Sequence, residues 1–182
     1  MRKFLLSTVA VGLSVTPALA EVSDGKVKIG ILNDQSGVYA DFGGKSSYQA
    51  ALMAVEDFGG KVLDAPIEVV TADHQNKADI ASNIARQWYD TEGVDAIMEL
   101  TSSSVGLAVQ ALSLEKKKIT INTGAATTEL TGKQCSPYGF HWAYDTHALA
   151  VGTGGAKSMI HWLGRGTSPS GPSSGNVGVT GK

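Results

Sequence analysis

Short apolar segments alternate with longer segments of helical periodicity between residues 26 and 122. The apolar segments lie at 26–32, 67–71, 94–100 and 119–122, and each predicts a buried strand. The segments between them repeat apolar residues every three or four positions, which predicts helices near residues 48–58, 78–92 and 105–118. This order predicts an α/β fold, with a doubly wound parallel sheet, helices on both faces and right-handed crossovers.

The third predicted strand ends abruptly in four small hydroxyl residues at 101–104. Helical periodicity begins directly after them, so they occupy a turn between a strand and a helix, here called the serine turn. In open α/β sheets ligands bind at the carboxyl ends of the strands, and a helix N-terminus offers unpaired N–H groups to an anion. Ser102 and Ser103 are therefore candidate ligand-binding residues. The alternative is that these residues only cap the helix.

The fourth predicted strand ends in another loop of small and hydroxyl residues, TGAATTELT at 123–131, here called the second loop. If the last two strands are neighbours in the sheet, Ser102, Ser103, Ala125 and Thr127 surround one spot. Hydroxyl and N–H groups there suit a carboxylate, and exposed carbonyl oxygens suit an ammonium. The sequence therefore predicts a site for an amino acid or a carboxylic acid, without a cofactor.

The loop after the first predicted strand, at 33–44, is long and carries Tyr39 and Phe42 among glycines. Long ordered loops in compact domains are usually functional. We therefore predict that Tyr39 forms a wall or lid of a pocket. For Phe42 the alternative is packing onto the sheet.

Residues 1–20 have the organisation of a secretory signal peptide. Arg2 and Lys3 precede an apolar run, and PALA at 17–20 supplies the small residues that signal peptidase requires. Cleavage after Ala20 would release an exported, periplasmic protein. A membrane anchor is the alternative, but the apolar run is shorter than the ~20 residues that span a bilayer.

The composition is that of an ordinary globular protein, with 42% hydrophobic and 18% charged residues and a net charge of −2. Removal of residues 1–20, which contain two basic and no acidic residues, makes the chain more acidic. This balance argues against a surface for nucleic acid or anionic lipid and favours a small-molecule partner. The single cysteine, Cys135, cannot form an internal disulfide and is expected to be buried and inert.

Three stretches follow the signal peptide: KVKIGILNDQSGVYADFGG, AIMELTSSSVGLAV and INTGAATTELTGKQCSPYGFHWAYDTHALA. In their order and separation they resemble the N-terminal lobe of periplasmic substrate-binding proteins of ABC transporters, in the branched-chain amino acid (Leu/Ile/Val-binding) family. The resemblance covers residues 27–155. It implies a type I periplasmic binding protein lobe, which we place at residues 21–163.

The resemblance implies that the serine turn binds the ligand carboxylate and that the second loop, through its alanine and threonine residues, binds carboxylate and ammonium. It also implies a membrane permease of an ABC importer as the partner. The family's pattern has a proline before the glutamate of that loop, where this chain has Thr128 before Glu129, so both alanines of the loop are candidates. Relatives carry aromatic acids, amides or urea as well as amino acids. The candidate ligand-binding residues are Ser102, Ser103, Ala125, Ala126, Thr127, Tyr39 and Asp145.

Residues 164–182 differ in composition from everything before them. They are rich in Gly, Ser and Pro and cannot form a core strand. The family's proteins have two lobes and close on the ligand by a hinge. We therefore expect a truncated lobe without its second half, through a truncation or a frameshift, with a natural flexible tail as the alternative.

An exported α/β hydrolase is the alternative function. No G-x-S-x-G motif lies between a predicted strand and a predicted helix, where a nucleophile would need it. A metal site would need a tighter cluster than His141 and His147, which are six residues apart, and scattered surface histidines are the alternative. The glycines at 152–155 lack the spacing of a dinucleotide-binding loop. We therefore expect no catalytic residue, metal ion or cofactor.

Overall fold

Six strands form one sheet in the computed structural model, which describes residues 24–165, with side chains through residue 155. The strands are β1 (Val27–Asn33), β2 (Lys61–Val62), β3 (Ala65–Asp73), β4 (Ala96–Glu99), β5 (Ile119–Asn122) and β6 (Gly139–His141). The helices are α1 (Gly44–Asp57), α2 (Ala78–Asp90), α3 (Ser103–Lys116) and α4 (Thr146–Arg165), with a 3₁₀ helix at Thr128–Leu130. The predicted signal peptide at 1–20 and residues 166–182 of the predicted tail lie outside the described residues.

The strand order is β2-β3-β1-β4-β5-β6. All neighbouring strands are parallel except β2 and β3, which form an antiparallel pair. The chain runs from β1 outward to β3 and then returns to the other side of β1 as β4. The order therefore reverses between β1 and β4, and in open α/β sheets ligands bind at such reversal points. The predicted α/β fold with a parallel sheet is confirmed, and β2 is an addition that the sequence did not predict.

The main core lies between the sheet and the helices α2 and α3, which pack against each other. Gly30 in β1 leaves room for the ring of Trp88 from α2, because a β-carbon at position 30 would collide with that ring. Leu100 is fully buried in this core and immediately precedes the serine turn. The remaining members of the core are Leu32, Ala81, Ala85, Tyr89, Val94, Ile97, Val105, Val109 and Leu112.

The opposite face of the sheet is covered less completely. α1 packs there on β1 and β3, and a cavity of about 500 Å³ remains between this helix and the sheet. The apolar stripe predicted along α1 is therefore partly exposed, with Leu52 exposed by 37% and Phe58 by 66%. The sheet residues that line the cavity are Ile29, Ile31, Ile67, Val69 and Met98.

The last described element, α4, exposes every side chain from residue 146 to residue 155. Its backbone continues to Arg165, two residues into the predicted tail at 164–182. Cys135 is exposed, so the expectation of a buried thiol was wrong, because it lies in the irregular segment between the 3₁₀ helix and β6. None of the helices in the described part of the chain combines the length and the apolar character needed to cross a membrane.

Candidate ligand-binding site

The loops that follow β4 and β5 lie side by side. The two strands are parallel neighbours, and Glu99 at the end of β4 is in register with Asn122 at the end of β5. The carbonyl oxygen of Glu99 accepts hydrogen bonds from the N–H groups of Thr123 (3.0 Å) and Gly124 (3.2 Å). The serine turn and the loop at 123–127 therefore meet at one edge of the sheet, as a shared site requires.

The serine turn presents its hydroxyl groups without using them to cap the helix. Ser102 stands at the N-cap position of α3 in extended conformation, but in the described structure its side chain makes no capping hydrogen bond. Its Oγ lies 3.1 Å from the Oγ of Ser104, and only 7% of the residue is exposed. Ser103 begins α3 and is half-buried. The hydroxyl of Ser102 is therefore available to a ligand beside the unpaired N–H groups of the first helical turn.

The backbone before the serine turn is strained. Glu99 (φ 85°) and Leu100 (φ 56°) both adopt left-handed conformations that residues with a β-carbon rarely take. The carboxylate of Glu99 accepts hydrogen bonds from the hydroxyl groups of Ser47 in α1 and Thr123 after β5. Such strain persists only where the surroundings hold it, and it is concentrated at functional sites.

The loop after β5 brings three further candidates to the same edge. Ala125 is 2% exposed, and its carbonyl oxygen accepts a hydrogen bond from Nε2 of His141 in β6 (2.7 Å). The carbonyl oxygen of Ala126 accepts from the N–H of Thr146 at the start of α4 (2.6 Å). The Oγ1 of Thr127 caps the 3₁₀ helix by accepting from the N–H of Glu129 (3.3 Å).

Asn122 is a site residue that sequence reasoning missed. Its Oδ1 accepts a hydrogen bond from the N–H of Ala125 (3.1 Å), which shapes the loop. Its Nδ2 is the one buried side-chain polar atom without a hydrogen-bond partner among residues 24–155. A β-carbon on Gly106 would collide with this nitrogen, so α3 passes directly over Asn122. Asn122 therefore lies between the second loop and the start of α3.

A buried network ties the long loop after β1 to the serine turn. The N–H of Asp34 donates to Oγ1 of Thr101 (3.0 Å), and the Asp34 carboxylate accepts from the N–H groups of Gly37 (2.7 Å) and Tyr39 (3.0 Å). Asp34 is fully buried. Its carboxylate therefore fixes the backbone that carries Tyr39.

His74 completes this network from the end of β3. Its Nδ1 accepts from the N–H of Asn76 (3.0 Å), so the proton of the neutral ring is on Nε2, which lies 3.3 Å from Oγ1 of Thr101. Burial lowers the pKa of His74, although the charges of Asp34 and Asp73 act to raise it. The ring is therefore neutral at pH 7 and donates to Thr101. Neither Asp34 nor His74 was identified from the sequence, because the bonds that join them to the serine turn, both through Thr101, connect positions distant in the chain.

The other two predicted site residues lie at the margin. Tyr39 is 41% exposed, and Phe42 beside it is 61% exposed and so does not pack onto the sheet. Asp145 caps α4 by accepting the N–H of Ala148 (2.7 Å), directly before the residue that bonds to Ala126. The structure thus brings Ser102, Ser103, Ala125, Ala126 and Thr127 together, with Tyr39 and Asp145 on adjoining segments. The large cavity beside α1 reaches this edge only at Ser47, Glu99 and Thr123.

Comparison with known proteins gives one family and several solved structures. The profile described as periplasmic binding protein matches residues 26–163. A periplasmic binding protein from Burkholderia mallei is 52% identical, with a TM-score of 0.73, over 75% of this chain and 36% of that one. A branched chain amino acid ABC transporter periplasmic ligand-binding protein from Burkholderia xenovorans LB400 is 39% identical, with a TM-score of 0.72, over 75% and 37%.

A third structure is more distant. It is an ABC transporter solute binding protein from R. palustris in complex with 4-hydroxybenzoate, 28% identical with a TM-score of 0.56, over 63% of this chain and 30% of that one. The present chain spans about a third of the length of these solved proteins. Comparison with curated proteins gives no significant match.

Proposed function

Because the chain belongs to the periplasmic binding protein family, we propose that it is a solute-binding component of an ABC importer. Its solute would be a small amino acid, an aromatic acid or a related carboxylate or amide. The family consists of binding proteins, and membership implies a periplasmic location. The proposed export signal is residues 1–20, cleaved after Ala20, and the proposed membrane partner is the importer's permease.

The observation that carries this proposal is the uncapped serine turn beside the second loop. The Ser102 hydroxyl and the first N–H groups of α3 are donors at one edge of the sheet, and a carboxylate there would accept from both. Each hydrogen bond to a charged acceptor is worth about 1.5–3 kcal/mol. Ser103 and the loop residues Ala125, Ala126 and Thr127 would form the rest of this wall.

The relatives support the same chemistry. One is described as a branched chain amino acid transporter protein, and another was solved with 4-hydroxybenzoate. Both kinds of solute carry a carboxylate and differ in the rest of the molecule. A carboxylate subsite in this chain is consistent with either, with Tyr39 and Asp145 proposed as walls on the adjoining segments.

The alternative of a secreted hydrolase has no support. The Oγ of Ser102 has Ser104 as its neighbour, and in the described part of the chain no histidine lies within hydrogen-bond reach of it. A serine nucleophile needs such a base. The matching solved structures are also described as binding proteins, two of them of ABC transporters.

Nuclear magnetic resonance of the ¹⁵N-labelled chain tests the proposed function. Amino acids, benzoates and amides are titrated individually to about 20 mM, because one wall of a site can bind as weakly as millimolar. Saturable shifts of the amide signals of Ser102, Ser103, Ala126 and Thr127 are expected with carboxylates. Hydrolysis of chromogenic esters without such shifts would contradict the proposal.

A further inference from the structure

Three consecutive carbonyl groups of the loop at 123–127 already have hydrogen-bond donors. The carbonyl oxygen of Ala125 accepts from Nε2 of His141 (2.7 Å), and that of Ala126 accepts from the N–H of Thr146 (2.6 Å). The carbonyl oxygen of Gly124 accepts a longer bond from the hydroxyl of Tyr144 (3.4 Å). All three donors lie between residues 141 and 146, so this segment lies along the carbonyl side of the loop.

The hydrogen-bond donors of this loop and of the serine turn, in contrast, are free to bind a ligand. Within residues 24–155, the N–H groups of Ala126 and Thr127 have no hydrogen-bond acceptor, and the Ser102 hydroxyl makes no capping bond. The first N–H groups of α3 add further donors. The edge of the sheet therefore offers donors to a ligand, while the carbonyl oxygens of Gly124, Ala125 and Ala126 already accept hydrogen bonds.

The carboxylates around the site are occupied as well. Glu99 accepts from the hydroxyls of Ser47 and Thr123, and Asp34 accepts from two backbone N–H groups. Asp145 caps α4. These three carboxylates therefore already have hydrogen-bond donors, which an ammonium would have to displace.

From this imbalance, and on the basis of the proposed function, we infer that the site takes a carboxylic acid without an α-ammonium group in preference to the corresponding amino acid. An ammonium brings three donors, which need acceptors when water is removed. A carbonyl oxygen can accept a second hydrogen bond, but an ammonium at Ala125 would lie beside the positively polarised N–H of His141. His141 is therefore the residue that determines this specificity, because its N–H group disfavours an ammonium at the Ala125 carbonyl oxygen.

Matched ligand pairs test the inference. L-phenylalanine and 3-phenylpropionate differ only by the ammonium group, as do L-leucine and 4-methylpentanoate. Each is titrated into the ¹⁵N-labelled chain from which residues 1–20 have been removed, and the amide signals of Ser102, Ser103, Ala126 and Thr127 are followed. The acids are expected to bind at least about tenfold more tightly than the amino acids.

The outcomes of this titration are distinguishable. Equal or tighter binding of the amino acids would overturn the inference and leave the proposed carboxylate site intact. If neither these four compounds nor the benzoates and amides shift these signals at about 20 mM, the proposed function itself is contradicted.

A variant isolates the role of His141. His141→Phe removes the donor to Ala125, so the affinity for the amino acids should rise relative to that for the acids. His141→Gln keeps an N–H donor and should retain the preference, which a merely structural role would not require. The control His147→Phe changes an exposed histidine on α4 and should leave the preference unchanged. An unchanged preference in a folded His141→Phe protein, or its loss in His141→Gln, would show that this hydrogen bond does not set the specificity.

Discussion

Gly124 and Thr101 are in backbone contact: a β-carbon on Gly124 would lie 2.8 Å from the Cα of Thr101. Real β-carbons do not come this close to another backbone, so only glycine allows the two loops their present spacing. Thr101 directly precedes Ser102, and Gly124 directly precedes Ala125. The geometry of the proposed carboxylate site therefore depends on the absence of a side chain at position 124.

Gly124→Ala is expected to force the two loops apart. Overpacking against a rigid neighbour costs about 1–3 kcal/mol of unfolding free energy, and the shift should also weaken binding of any carboxylate. Chemical denaturation and ligand titration measure the two effects. Gly152→Ala is the matched control, because a β-carbon there meets nothing within 4 Å and alanine favours the helix by about 1 kcal/mol. Equal stability of the two variants would contradict the tight contact.

Ser102→Ala is expected to weaken carboxylate binding by about 1–3 kcal/mol, because a charged acceptor loses a hydrogen bond. The helix should lose little stability, since the Ser102 side chain makes no capping bond in the described structure. Ser104→Ala is the control: this residue is exposed and touches the site only through the Ser102 hydroxyl. Calorimetry or amide-shift titration compares the two variants, and an unchanged affinity in Ser102→Ala would remove Ser102 from the site.

His74 should make the folded protein sensitive to mild acid. Burial holds its pKa below the ordinary value of 6.5, despite the nearby charges of Asp34 and Asp73. Above pH 6.5 the ring is neutral in both the folded and the unfolded chain, so stability is complete. As the pH falls below 6.5, the unfolded chain takes up a proton first, and stability decreases until the folded pKa is reached.

Melting temperatures at about pH 7.5 and pH 5.5 measure this effect. The wild-type chain should lose more stability over this range than His74→Gln, which cannot be protonated there but retains an N–H donor for Thr101. The exposed His147→Gln should behave like wild type. A wild-type chain whose melting temperature does not change over this range would contradict a depressed pKa at His74.

The parallel sheet and the loop positions could be predicted because their signals are local. Apolar runs at 94–100 and 119–122 placed β4 and β5, and the helical repeat after residue 104 placed α3. The β2–β3 hairpin was missed because its two-residue turn, Leu63 and Asp64, takes positive φ values without the usual Asn or Gly. The residues of this turn therefore did not indicate a hairpin.

Which carbonyl oxygens of the site already accept hydrogen bonds could not be predicted from such local signals. The small residues of the second loop predict exposed carbonyl oxygens, but His141 and Thr146 donate hydrogen bonds to those of Ala125 and Ala126. These bonds join residues sixteen and twenty positions apart. They depend on where β6 directs the chain, and no periodicity in the sequence encodes that direction.

Because the backbone at Glu99 is strained, we expect glycine to be more stable than alanine at this position, which is the reverse of the usual order. At most positions alanine is more stable than glycine, because glycine loses more conformational freedom on folding. Glu99 has φ 85°, where a β-carbon is strained and glycine is not. Both Glu99→Ala and Glu99→Gly remove the carboxylate that accepts from Ser47 and Thr123, so both should be less stable than wild type.

The difference between these two variants isolates the backbone strain. Glu99→Gly should be more stable than Glu99→Ala by about 1 kcal/mol, because a left-handed conformation costs a residue with a β-carbon roughly that much. Glu115 in α3 is exposed and helical, and there the order should reverse, with alanine more stable by about 1 kcal/mol. Chemical denaturation of all four variants measures both differences. The same order at positions 99 and 115 would mean that the turn before Ser102 is not held in a left-handed conformation.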